Sequence, residues 1–287
     1  MLQVSIQEGR SKGDPYGYHV ASDAVAFRYC VALPLHVDIP ELEAKARCLR
    51  RRVFDICVKA GTGHITSCFS CVEILVALYY GGVMRPGDKF ILSKGHASPL
   101  LYAILADLGY FPEEELETFC QPGSRLGVHL NDEVPGVECI SGSLGYGLGI
   151  AAGLAYADRS RRVFCLLGDA ECQEGSVWEA AMFAGKHRLS NLTAIIDCNG
   201  YGATPSNRPT VTWRWDTLGW SEWGRLNGHD IGKLIGALSF SRLGPGLFKA
   251  KTVKGKGVSF LIDAPLMHGC VPTDPQQIEQ ARRELSA

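Results

Sequence analysis

The chain reads as an α/β protein, a parallel sheet with helices on both faces, and three observations carry that reading. Residues 163–167 and 192–196 are short, strongly apolar runs of strand length, the pattern of strands buried on both faces. An apolar segment of helical character around residues 178–182 lies between them, which makes a strand, a crossover helix and a parallel strand. Turn residues close each run, Gly168-Asp169-Ala170 after the first and Asn199-Gly200 after the second.

A length of 287 residues with 46% hydrophobic content allows one large domain with a sizeable core. The 29 basic and 30 acidic residues leave a net charge of −1, without a long basic run, so nothing favours nucleic acid. Residues 24–37 are apolar, but they are short and interrupted by Arg28, which suits neither a membrane span nor a signal peptide. The eleven cysteines are scattered, several within apolar segments (Cys57, Cys165), as expected of free thiols in a reducing cytoplasm. Cys68 and Cys71 have redox or metal spacing, but no second pair accompanies them and packing in a helix is the simpler reading.

Residues 1–37 are glycine-rich at first and carry no motif, an N-terminal extension to a domain of residues 38–287. A helix is predicted from Pro40 to near Gly61, with Leu42, Ala46, Leu49, Val53 and Ile56 at helical spacing. Arg50-Arg51-Arg52 on it reads as a solvated face. A second helix is expected over 67–80, a strand over 89–93 and a helix over 97–108. Loops with a short acidic helix at 113–117 follow. The next helix begins near Leu144, and its glycines 145, 149 and 153 permit close approach of a neighbour. Ser176 and Glu179 have capping-box spacing at the start of the crossover helix. The tryptophan-rich residues 213–223 either pack in the core or line an apolar acceptor site. A weak helix at 231–239, a strand at 247–253 and the loop Lys254-Gly255-Lys256-Gly257 complete the order. That loop reads as solvated or as approaching phosphate.

The strand–helix–strand unit sets Asp169 and Asn199 at neighbouring carboxyl ends of a sheet. One carboxylate and one amide oxygen suit an octahedral magnesium that also holds phosphate oxygens. No Gly-x-Gly-x-x-Gly follows the first strand, which argues against a nicotinamide dinucleotide.

This block resembles the thiamine diphosphate signature, and Glu174-Gly175-Ser176-Val177-Trp178-Glu179-Ala180 resembles transketolase. Gly63-His64, Leu92-Ser93-Lys94-Gly95-His96, Pro135-Gly136-Val137-Glu138 and Gly142-Ser143-Leu144-Gly145 stand in the same order as that family's motifs. The match is nearest to the N-terminal subunit of split, two-chain transketolases. The resemblance implies that His64 and His129 bind substrate hydroxyls, and that His96 and His268 lie near the diphosphate and reaction centre. It implies backbone contact of Gly142 with the aminopyrimidine, packing of Leu144 on the cofactor rings and diphosphate contact at Gly168, Asp169 and Ala170. Asp169, Asn199 and the Tyr201 carbonyl would hold Mg2+, and Glu174 would stand at a subunit interface.

Ala170 replaces the signature's second glycine. It keeps an N–H donor, but a positive φ there would cost about 1 kcal/mol. Tyr146 stands where the family commonly has glutamine, and Leu130 where it has proline. In this family an acid from a separate pyrimidine-binding domain completes the site, and the chain ends at Ala287 without that pattern. The resemblance therefore implies a partner subunit carrying the pyrimidine-binding and C-terminal domains, in an α2β2 arrangement by analogy, with a ketose donor and an aldehyde acceptor. Two alternatives accompany this reading: a related two-carbon transferase acting on a non-sugar or carrier-bound acceptor, and a non-catalytic scaffold subunit.

Overall fold

The computed structural model describes residues 37–201, 214–239, 243–262 and 264–286. They all lie in a unit of Leu33–Ala287. Residues 1–36 of the expected extension, and Trp213, fall outside them.

Five parallel strands, β1 (Lys89–Leu92), β2 (Val163–Gly168), β3 (Leu192–Cys198), β4 (Ser221–Asn227) and β5 (Gly246–Lys251), form one sheet in the order β1-β2-β3-β5-β4. Alternate residues point to opposite faces. Phe90, Phe164, Leu166, Ile195 and Phe248 join a core with helices α1 (Ile39–Ala60), α3 (Val72–Tyr79), α4 (Ser98–Asp107) and α7 (Ile231–Leu238). Ile91, Cys165, Leu167, Ala194, Ile196 and Leu247 join a second core with α5 (Tyr146–Ala157) and α6 (Gly175–Lys186). Both faces are therefore covered by helices, as expected.

Helix α1 begins where Asp38 accepts the Glu41 N–H at 3.2 Å, and it stops at Gly61. Its basic run is not uniformly solvated. Arg50 turns inward, 4% exposed, and pairs with buried Glu73 at 2.7 Å. The helix expected over 67–80 is two helices, α2 (Ile65–Ser70) and α3, broken at Cys71. The Ser70 hydroxyl reaches across to Asp197 on β3, and the Cys71 N–H turns to the Cys68 carbonyl at 3.2 Å. Cys68 and Cys71 are both buried, and burial pushes both thiols up, Cys71 to about 12, so neither is a reactive thiolate.

Strand β4 begins at the end of the tryptophan-rich stretch and runs past it, where the sequence pattern shows no strand. It is a half-exposed edge strand with Gly224 at an irregularity between Trp223 and Arg225. Trp215 is fully buried, 4.8 Å from the Trp220 ring and 6.2 Å from Trp178. The Trp220 indole donates to the Ala181 carbonyl at 2.8 Å, and Trp223 stacks on Phe248. The described tryptophans are core, not an acceptor site. The expected capping box is absent too. Helix α6 starts at Gly175 after Glu174, no side chain caps it, and Ser176 lies inside the first turn. Of the three glycines, Gly149 and Gly153 meet no neighbour, and the close approach falls to Gly145 against Glu174 and Ser176 and to Gly147 against Ser93. Among the described residues no helix is long and apolar enough to cross a membrane.

A Cβ on Gly185 of α6 would lie 1.7 Å from the Leu218 carbonyl oxygen. Gly185→Ala should therefore destabilise the fold by about 1–3 kcal/mol, read as a lower denaturant midpoint. An unchanged midpoint would refute this packing.

Candidate active site

Register sets the site. Gly168 pairs with Asp197, so the carboxyl ends of β2 and β3 finish level, and Asp169 and Asn199 leave the sheet side by side. Asp169, only 2% exposed, accepts the Gly200 N–H at 2.7 Å and the Ala170 N–H at 2.9 Å. Burial, aided by the Asp197 charge, pushes its carboxyl up to about 6. The Asn199 side-chain oxygen accepts the Tyr201 N–H at 3.1 Å, which folds the loop so that Asn199 and Tyr201 stay beside Asp169. Ala170 has φ −65 and ψ −37, so alanine fits here without strain and the N–H donor is kept.

A buried ion pair anchors the same edge. Lys94, just beyond β1, bonds Asp197 at the end of β3, the Ser67 carbonyl at 2.9 Å and Ser70. Thr252, after β5, donates to the other Asp197 oxygen. His96 follows Lys94 in the turn that leads into α4. His64 precedes α2 and is aimed by Gly63, where a φ of +131 and a Cβ that would lie 2.6 Å from the Cys57 sulfur exclude a side chain. His129 lies on a loop that Ser98 and Tyr102 of α4 hold through the Val128 and His129 carbonyls, at 2.8 and 3.0 Å. The apolar Leu130 beside it is buried in the core.

These loops bring all four expected histidines together. The His64 ring centroid is 5.2 Å from His96, 6.4 Å from His129 and 5.1 Å from His268, and His96 is 5.6 Å from His268. Burial, with Lys254, Lys94 and one another as positive neighbours, lowers three of them. His64 and His268 fall to about 4, and His96 lies well below its ordinary value. These imidazoles are neutral near pH 7 and offer one donor and one acceptor each. The His64 Nδ1 atom is buried without a partner.

Three further residues join the site, and the sequence marks none of them beyond the alternative it left open for the Lys254 loop. Lys254 is no solvated loop residue. It is 3% exposed, its ammonium 2.9 Å from His268 Nδ1 and 5.6 Å from the Tyr201 ring centre, and burial lowers it to about 8. Among the described residues no carboxylate forms an ion pair with it. The glycines alternating in Lys254-Gly255-Lys256-Gly257 were the available hint. Lys94 stands inside the Leu92–His96 motif, where only His96 looks chemical. Glu171, buried two residues after Asp169, accepts the N–H groups of Gly145 at 2.8 Å and Gly168 at 3.0 Å and the Ser93 hydroxyl. It ties the loop carrying Gly142 and Leu144 to the strand ends. Gly145, at φ +90 with Glu174 and Ser176 packed against it, completes that bend. Gly142, Leu144 and Glu174 are exposed around the cleft, Tyr146 is 62% exposed, and Gly168 is half-buried.

The donor set fits a cation and a polyanion. Asp169 is a buried carboxylate short of positive charge, beside an amide and a backbone oxygen, as magnesium takes. Lys254 is a buried ammonium without a carboxylate, beside an unpartnered imidazole nitrogen, as a diphosphate takes. Among the described residues no three His, Cys, Asp or Glu side chains form a metal cluster, and a magnesium bound by one carboxylate and neutral oxygens does not require one.

Residues 43–287 match the family model described as transketolase, thiamine diphosphate binding domain. The chain is 36% identical to the transketolase of Rattus norvegicus over 88% of its length, and it spans 43% of that protein. It is 34% identical to a subunit of the apulose-4-phosphate transketolase of Phocaeicola vulgatus, covering 87% of this chain and 95% of that subunit. The crystal structure of transketolase from Campylobacter jejuni superposes with a TM-score of 0.78 at 29% identity, over 87% of this chain and 43% of that one.

The neutral histidines give a pH signature. Between about 4 and the ordinary 6.5 the folded His64 stays neutral while the unfolded chain takes up a proton, so His64 lowers stability as pH drops from 7 to 5. Asp169, raised to about 6, acts in the opposite sense, and what it adds at low pH is lost as pH rises through 6. In thermal melts at pH 5 and 7, His64→Asn should narrow the difference between the two midpoints in favour of pH 5. An unaltered difference would refute the burial of a neutral His64.

Proposed function

Because the chain belongs to the transketolase family through its thiamine diphosphate-binding domain, we propose that it is the diphosphate-binding subunit of a split transketolase. The reaction is transfer of a two-carbon ketol unit from a ketose donor to an aldehyde acceptor. The observation that carries this reading is the meeting of Asp169, Asn199 and Tyr201 with Lys254 and four histidines at one edge of the sheet.

In this reading residues 38–287 are the cofactor domain. Asp169, Asn199 and the Tyr201 carbonyl hold Mg2+. Gly168, Ala170, His96, His268 and Lys254 face the diphosphate, Gly142 meets the aminopyrimidine and Leu144 supports the rings. Bound thiamine diphosphate supplies a carbon nucleophile able to cleave the bond next to a ketose carbonyl. His64 and His129, with His96 deeper in the cleft, orient sugar hydroxyls, and the neutral rings of His64 and His96 both donate and accept. Glu174, exposed at the rim, meets a second subunit that carries the pyrimidine-binding and C-terminal domains in an α2β2 assembly. The near-complete coverage of a relative named as a subunit supports that division. The ten described cysteines are all unpaired, which suits a reducing cytoplasm, and a ketose donor with an aldehyde acceptor would place the reaction in carbohydrate metabolism.

Calorimetric titration of thiamine diphosphate with magnesium, on this chain alone and with its candidate partner, tests the reading. Tight binding is expected only with the partner, and no binding in either case would sink it. Asp169→Ala should weaken magnesium-dependent binding by on the order of 100-fold or more, and retained affinity would refute the metal assignment. His129→Ala should leave cofactor affinity intact and lower kcat/KM on the order of 10-fold to 100-fold. Equal loss of cofactor binding would remove His129 from the substrate side.

A further inference from the structure

Lys254 is a charged side chain held under cover in the cleft, and the device that keeps it there lies behind it. Residues 252–257 leave β5 as a loop whose contacts alternate. Toward the cleft, Thr252 donates to Asp197 and its N–H to the Cys198 carbonyl at 3.2 Å. The Gly255 N–H donates to the Thr66 carbonyl at 3.0 Å. On the far side, Val253 and Lys256, which flank Lys254 and Gly255, both connect to Glu73 on α3, the first through His229.

Glu73 is 5% exposed. Its Oε2 receives Arg50 at 2.7 Å and lies 2.9 Å from His229 Nδ1, and its Oε1 receives Lys256 at 3.0 Å. The Val253 N–H donates to His229 Nε2 at 2.8 Å. With Nε2 accepting, the ring proton sits on Nδ1 and is donated to Glu73, so one tautomer and one ring orientation satisfy both contacts. Burial would raise the Glu73 carboxyl, but the His229 bond and the Arg50 charge outweigh it and hold it ionised. His229 is itself fixed, because the Gly228 N–H bonds the Lys251 carbonyl at 2.8 Å and Asp230 caps α7. Arg50 alone would neutralise Glu73, and its remaining acceptor capacity goes to the loop.

We propose that Glu73 and His229 are positioning residues that hold the Lys254 ammonium inside the four-histidine cleft. Glu73 grips the loop on both sides of Lys254, through His229 at Val253 and directly at Lys256. Only the final step, that Lys254 then meets a diphosphate, rests on the function proposed above.

The test is acetylation of the full-length, cofactor-free chain with N-hydroxysuccinimidyl acetate at pH 8, followed by peptide mass spectrometry. Lys254, at 3% exposure, should label slowly, and Lys94, at 1%, reports on opening of the core. His229→Leu should speed labelling of Lys254 on the order of tenfold and leave Lys94 protected. His229→Gln, which keeps an acceptor for the Val253 N–H, should restore part of the protection. Lys256→Met removes one arm at the rim and should give a smaller increase, a readout that stands if His229→Leu fails to fold. A Lys254 that stays protected in His229→Leu overturns the proposal, as does a Lys94 unmasked along with it. Calorimetry with thiamine diphosphate and magnesium, in the presence of the partner, separates the two readings. If Lys254 is unmasked and cofactor affinity is unchanged, the positioning stands and the diphosphate role of Lys254 falls.

Discussion

The Lys94–Asp197 ion pair is the contact on which the site depends. Both side chains are removed from water, 1% and 0% exposed. Each shifts in the direction its partner's charge dictates, Lys94 upward and Asp197 downward, against the penalty of burial. Breaking such a pair by removing one partner typically costs about 3–5 kcal/mol, because the other charge is stranded. Ser67, Ser70 and Thr252 complete the acceptors and donors around it, so it draws α2 and the ends of β1, β3 and β5 to one point. The site residues radiate from that point at a constant interval. His96 stands two residues past Lys94, Asn199 two past Asp197 and Lys254 two past Thr252.

The cleft holds two buried groups of opposite charge that burial shifts toward their neutral forms. Asp169 is a carboxylate that burial pushes toward its neutral form, while Lys254 is an ammonium pushed the same way. A cation at the first and a polyanion at the second would restore both charges to their ordinary state. In the proposed function a magnesium diphosphate would supply both at once, and the neutral His64, His96 and His268 would remain free for hydroxyl chemistry. Glu171 does for the glycine loop what the ion pair does for the strand ends, tying Gly145 to Gly168 and Ser93.

Much of the fold and the site is legible along the chain, and the misses share a cause. Strands β2 and β3 could be read because central parallel strands are apolar on both faces, and β1 and β5 through the shorter apolar runs 90–92 and 247–248. Edge strand β4 needs no such run, and its sequence of Ser221, Glu222, Gly224 and Arg225 around two hydrophobic residues carries little period-2 signal. The break at Cys71 follows from Ser70 reaching a carboxylate 127 residues away, a pull that helical spacing cannot register. Arg50 looked like a surface charge because Glu73, its partner, lies on another helix.

The sequence by itself determined the class of fold, the unit joining Asp169 to Asn199 and the identity of the four histidines. These depend on local pattern: apolar runs, turn residues and motif order act through neighbours along the chain. Only the tertiary structure decided which charges are buried and what they hold. Lys254, Lys94, Arg50, Glu73 and Glu171 are ordinary polar letters in sequence. Their roles come from desolvation and from partners brought together by chain crossing, and both are properties of position in space rather than of neighbouring residues.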